Sequence, residues 1–153
     1  EHILRVCGDS PLIDLELMNS LVHHHLEKHG DLTIPKGEIP RGTGTEMVCL
    51  ATLKHIAGKA DKKPYREHVT AYVYDHAGQF NIIHVPPPSY LQGKTFRLTV
   101  DTDKDFLLMD KVYALFYNPP VVDLEQIIRY LETHPETANL NADVVQKDWR
   151  LEK

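Results

Sequence analysis

Cysteine is scarce, with only Cys7 and Cys49 in 153 residues. They lie far apart and form no CxxC pair, so they read as reduced packing residues, and the expected setting is cytoplasmic. No apolar run approaches the length of a membrane span, and the first residues lack the charged-then-apolar order of a signal peptide. Excess positive charge is missing too: the net charge is -5 with His neutral, and 25% of residues are charged. That balance argues against a phosphate-backbone surface, so no nucleic-acid partner is expected. Neither a GxxxxGK[ST] phosphate loop nor an HExxH metal motif occurs, and there is no internal repeat or low-complexity stretch.

A 42% hydrophobic chain of this length is enough for one domain, residues 1–153, with its own core. The chain opens at Glu1, without Met, directly in front of an apolar segment, which reads as a cut or processed beginning. The segment His2 to Cys7 has the pattern of a strand buried on both faces. A helix follows: Asp14 is placed to cap it, Glu16 favours its positive end, Met18, Leu21, Val22 and Leu26 recur at helical spacing, and Gly30 supplies a stop. After "DLTI", the loop "PKGEIPRGTG" concentrates proline and glycine; "TEMV" extends and "CLATLKHIA" turns helical.

Pro64 opens a further helix with Val69, Tyr72, Val73 and His76 on one stripe. "FNIIHV" and "FRLTV" read as strands. Thr102 and Asp105 have the spacing of a capping box in front of Phe106, Met109, Val112, Tyr113 and Phe116. The last helix, "DLEQIIRYLETH", carries Leu124, Ile127, Ile128 and Leu131, and Pro135 ends it. Strands alternating with helices predict an α/β domain with a mostly parallel sheet and an antiparallel excursion in the middle.

Two of these strands end in an acid followed by a helix, "ILRVCGD" at Asp9 and "FRLTVD" at Asp101. In open parallel sheets the ligand crevice lies outside the carboxyl ends of the strands, so neighbouring strands would deliver both carboxylates to one cleft. Magnesium takes one or two protein carboxylates and completes its octahedron with water and phosphate oxygens. The alternative is that Asp9 closes a turn and Asp101 opens a helix. Asp103 and Asp105 have a sufficient structural reason in the helix dipole.

In "IPRGTGTE", Gly42 and Gly44 let backbone approach a ligand, Arg41 can fork onto a carboxylate or phosphate, and Glu46 can accept from sugar hydroxyls; a flexible surface turn is the other reading. "YREHVT" puts Arg66, Glu67 and His68 at a helix start, where His68 is a hydrogen-bonding candidate beside the reading of a solvated cap. His23 to His25 with His29 invite a metal site, yet they read mainly as a solvated helix face.

Taken in order, "RVCGDSPLID", "IPRGTGTEMV", "YREHVTAYVY", "FRLTVDTDKDF" and "LNADVVQK" resemble the cytidylyltransferase family. The branch resembled is that of the spore-coat polysaccharide biosynthesis proteins, related to the synthetases that make CMP-activated acidic sugars. The resemblance implies a Rossmann-like nucleotide-diphospho-sugar transferase fold. It implies a reaction in which a sugar hydroxyl attacks the α-phosphate of CTP and pyrophosphate leaves. By motif, Asp9 and Asp101 resemble the family's magnesium-binding acids, Arg41, Glu46, Glu67 and His68 fall on the sugar side, and the middle segment implies a homodimer. The family's nucleotide loop of the kind "RxxSxRLPGK" has no match here, so the chain is expected to be the C-terminal portion of such a domain. The alternative is a non-catalytic sugar-binding or dimerisation module derived from that fold.

Overall fold

The computed structural model describes residues 1–146; Lys147, the end of the closing block, lies outside them. In chain order the elements are β1 (His2–Arg5), α1 (Leu15–Lys28), β2 (Leu32–Pro35), β3 (Glu46–Cys49), α2 (Leu50–Ala57), α3 (Lys63–Glu67) and α4 (Ala71–Asp75). They continue with β4 (Ile82–Val85), α5 (Asp103–Phe116), β5 (Tyr117–Asn118), β6 (Val121–Val122), α6 (Leu124–Thr133) and α7 (Pro135–Ala138).

Local signals set most boundaries. Asp14 caps α1 by accepting from the Leu17 amide at 2.7 Å. Asp123 does the same for α6 from Gln126 at 3.1 Å. The capping box of α5 forms with Asp105 in place of the usual Glu. The left-handed residue that ends α1 is His29, not Gly30. Gly30 is required for packing instead: a Cβ there would sit 2.6 Å from Ile83 Cδ1 and 2.9 Å from Thr33 Oγ1. Pro135 likewise opens α7 rather than merely stopping α6.

The main sheet has the order β1-β3-β2-β4. β3 runs antiparallel to both β1 and β2, and the parallel pair is β2 with β4. The sheet is therefore mixed, which corrects the expectation of a mostly parallel one. The loop 36–45 carries no crossover helix, so β3 enters beside β2 in the opposite direction. β1 is correspondingly an edge strand with Ile3, Leu4 and Arg5 only half-buried.

Alternation along the strands feeds two cores. Leu4, Met47, Ile83 and Val85 face a large cluster with Leu17 and Leu21 of α1, Leu108 and Val112 of α5, and Ile127, Ile128 and Leu131 of α6. Leu32, Val48 and Ile82 face a smaller one with Ile56 of α2 and Val73 of α4. The result is helix, sheet, helix. Each fully buried Leu or Ile contributes about 1.5–3 kcal/mol relative to exposure.

Two sequence expectations fail on tertiary grounds. The helix from Pro64 breaks at His68, whose backbone is extended, and resumes at Ala71. The break lets the Thr70 hydroxyl reach Glu46 at 2.9 Å. "FRLTV" forms no ladder strand; it makes one bridge, Arg41 to Arg97, and otherwise stitches two loops together. On α1 the buried stripe is Leu17, Leu21 and His25, while Leu26 is exposed. The solvated-face reading of the histidines is thus wrong for His25, which is 0% exposed.

Candidate active-site cleft

Arg5 pairs with Glu46, and Pro35 with Val85, so the ends of β1, β2 and β4 and the start of β3 share one edge of the sheet. Outside that edge opens a cleft of about 630 Å³. Asp9, Arg41, Glu46, His68 and Asp101 all line it, together with Cys7 and Gln146. Residues from widely separated stretches of sequence converge there. Glu67 is not among the lining residues; it sits in the last turn of α3, exposed, 3.7 Å from Lys63.

The two acids line one cleft because the segment 96–100 is sewn to the loop after β1. The Val100 amide donates to the Asp9 carbonyl at 2.9 Å, and the Thr99 hydroxyl does so at 3.2 Å. The Asp9 carboxylate is exposed and, among the described residues, accepts only a hydroxyl bond from Ser10 at 3.1 Å. Asp101 is bonded through Oδ2 to the Arg97 guanidinium.

Arg97 also forks onto Asp105 at 2.8 and 3.1 Å and reaches Gln146. Asp105 is 0% exposed. Burial alone would raise its pKa, but bonds from Arg97, Asn141, the Asp101 amide and Thr102 outweigh it and hold the carboxyl well below the usual carboxylate range. Asp105 therefore does more than complement the dipole of α5. It anchors the wall that carries Asp101.

Arg41 is held by its backbone, which donates to Phe96 at 2.9 Å and accepts from Leu98 at 2.8 Å. Its exposed side chain makes no ion pair among the described residues. Gly42 has φ +88° and would place a Cβ 2.5 Å from the Leu98 carbonyl oxygen. The space its missing side chain leaves is filled by the protein's own backbone, not by a ligand.

Glu46 accepts from Arg5 at 3.0 Å, Thr70 at 2.9 Å and Tyr74 at 2.6 Å. A carboxylate offers about four acceptor sites, so little capacity remains for a sugar hydroxyl. Its first role is to fasten β1 and β3 to α4. Burial, then the neighbouring Glu46 charge and hydrogen bond, push the Tyr74 phenol far up, so it stays a donor.

Among the described residues no group of three or more His, Cys, Asp or Glu is arranged to hold a metal ion. Two hard-oxygen acids at one cleft suit magnesium, which leaves most of its positions to water and phosphate. Sequence reading passed over Arg97 and Arg5. The available signal was charge spacing, Arg97 lying four and eight residues before Asp101 and Asp105.

No family model matches the chain. An uncharacterised protein of Methanocaldococcus jannaschii is 36% identical over 151 residues, 97% of this chain and 60% of that protein. The spore coat polysaccharide biosynthesis protein SpsF of Bacillus subtilis is 28% identical over 137 residues, 89% of this chain and 57% of that protein. The chain thus spans about 60% of the length of the relatives it matches. A cytidylyltransferase structure from Leptospira borgpetersenii superposes with a TM-score of 0.80 at 21% identity, over 96% of this chain and 61% of that one. The chain is thus similar in sequence to SpsF and shares the fold of a cytidylyltransferase structure.

Proposed function

We propose that this chain forms the metal- and sugar-facing part of a magnesium-dependent cytidylyltransferase, which transfers CMP from CTP to a sugar in polysaccharide biosynthesis. The observation that carries the reading is the convergence of Asp9, Asp101, Arg41, Glu46 and His68 on one cleft outside the sheet edge. The chain spans about 60% of its relatives' length. The reaction is accordingly proposed for the protein that carries it, with a Rossmann-like nucleotide half completing the cleft. A homodimer and a cytoplasmic setting belong to the same proposal.

Asp9 and Asp101 would hold magnesium, which supplies charge neutralisation at the phosphates of CTP. Arg41 faces the same cleft with an open guanidinium, suited to an anionic group on either substrate. Glu46 and Arg5 line the cleft and are tied to each other, with Tyr74 holding Glu46, a fixed side on which a sugar hydroxyl would be held for in-line attack on the α-phosphate. Attack by that hydroxyl forms a new oxygen–phosphorus bond as pyrophosphate leaves.

The test is pyrophosphate release from CTP with a panel of sugars, using the complete protein and its Asp9→Asn variant. Loss of about 10²-fold or more with unchanged thermal unfolding is expected. Full activity in the variant would remove Asp9 from the chemistry.

A second reading, a non-catalytic sugar-binding or dimerisation module, has one observation in its favour. Asp101 and Glu46 already serve internal hydrogen bonds. It predicts sugar binding or self-association with no metal requirement.

A further inference from the structure

The Asp101 carboxylate is used unevenly. Its Oδ2 takes the Arg97 bond, while among the described residues Oδ1 accepts no hydrogen bond at all. Arg97 is not a mobile surface cation: its side chain is 11% exposed and is clamped by Asp105, which is itself fully buried. Asp105 is fixed in turn by Asn141 at 2.8 Å and by the backbone amides of Asp101 and Thr102 at 3.1 and 3.0 Å. A closed ring of bonds therefore runs from the α5 cap through Asp105 and Arg97 back to Asp101, with one carboxylate oxygen left over at the cleft.

We propose that Arg97 is a positioning residue, which holds Asp101 with Oδ1 open to a divalent cation. The proposal rests on the reading of Asp101 as a metal ligand. A carboxylate at the mouth of a cleft otherwise samples several rotamers, and fixing it before the cation arrives removes that ordering cost from binding. Hydrogen-bond partners of metal-ligating groups act in this way, and their loss lowers metal affinity by about 10–100-fold. Lysine cannot replace Arg97, because one ammonium cannot fork onto Asp105 and reach Asp101 at once.

The experiment titrates the 153-residue chain with Mn²⁺ alone, free Mn²⁺ being read by electron paramagnetic resonance, for the wild type, Arg97→Lys, Asp101→Asn and the double variant. Arg97→Lys is expected to weaken Mn²⁺ binding by about 10–100-fold, and to have no further effect once Asp101 is Asn. A merely structural Arg97 would give the same loss in both backgrounds, and that result overturns the proposal. So does a weakened Asp101→Asn beside an unchanged Arg97→Lys, which leaves the metal reading standing. An Asp101→Asn variant indistinguishable from wild type removes the metal reading and the proposal with it. If circular dichroism shows Arg97→Lys unfolded, the neutral pair Arg97→Gln, Asp105→Asn takes its place, with the same outcomes expected.

Discussion

His25 follows the exposed His23 and the half-buried His24 on one helix, yet it is fully buried, with Nδ1 2.8 Å from Thr33 Oγ1 and Nε2 3.0 Å from His2 Nδ1. Burial, and next the neighbouring His2, lower its pKa from 6.5, against a weaker opposing pull from Asp31. The folded state thus prefers the neutral ring, while the unfolded chain takes up a proton near the ordinary value. Stability on this account is full above about pH 6.5 and falls as the pH drops from there through the depressed folded value. Thermal unfolding between pH 8 and 5 should show the wild type losing more than a His25→Asn variant; equal losses would assign the pH dependence to other groups. Nothing local in "LVHHHLEKH" distinguishes His25 from His23, because what buries it is Thr33 on a strand beyond the helix end. The acids were legible for the opposite reason. Asp9 and Asp101 each follow an apolar run and precede a helix cap, and both line the cleft.

At the scale of elements, caps and apolar stripes were readable because they depend on neighbours within a turn. Asp14 and the Thr102–Asp105 pair cap as expected, and α6, which Asp123 caps, buries the expected Leu124, Ile127, Ile128 and Leu131. The helix from Pro64 and the strand at "FRLTV" failed because distant partners override local pattern. Thr70 and Tyr74 bend the first toward Glu46, and the loops carrying Arg41 and Asp9 take the backbone bonds of the second. Gly42 is the joint between loop 36–45 and that segment. Gly42→Ala puts a Cβ against the Leu98 backbone at a positive φ and is expected to cost about 1–3 kcal/mol. It should also displace Arg41 from the cleft. Urea denaturation measures the first effect; a wild-type midpoint would show that the loop accommodates the side chain.

For the molecule as a whole, strand–helix alternation was enough to give α/β, but not the direction of β3. Side-chain pattern reports which faces are buried and carries no record of whether a strand runs with or against its neighbour. The placement of the cleft survives this error. β1, β2 and β4 still point their carboxyl ends to one side, and β3 contributes Glu46 from its beginning at the same edge. The central claim, a proposal, is that this edge carries the acids that hold the metal of a nucleotidyl-transfer cleft. It is tested most directly by calorimetric titration of the whole protein that carries this chain with CTP, with and without Mg²⁺, beside its Asp9→Asn, Asp101→Asn double variant. The account predicts binding that requires magnesium and is lost in the variant. Binding that ignores both, or a folded wild type that takes up no CTP at all, would contradict it.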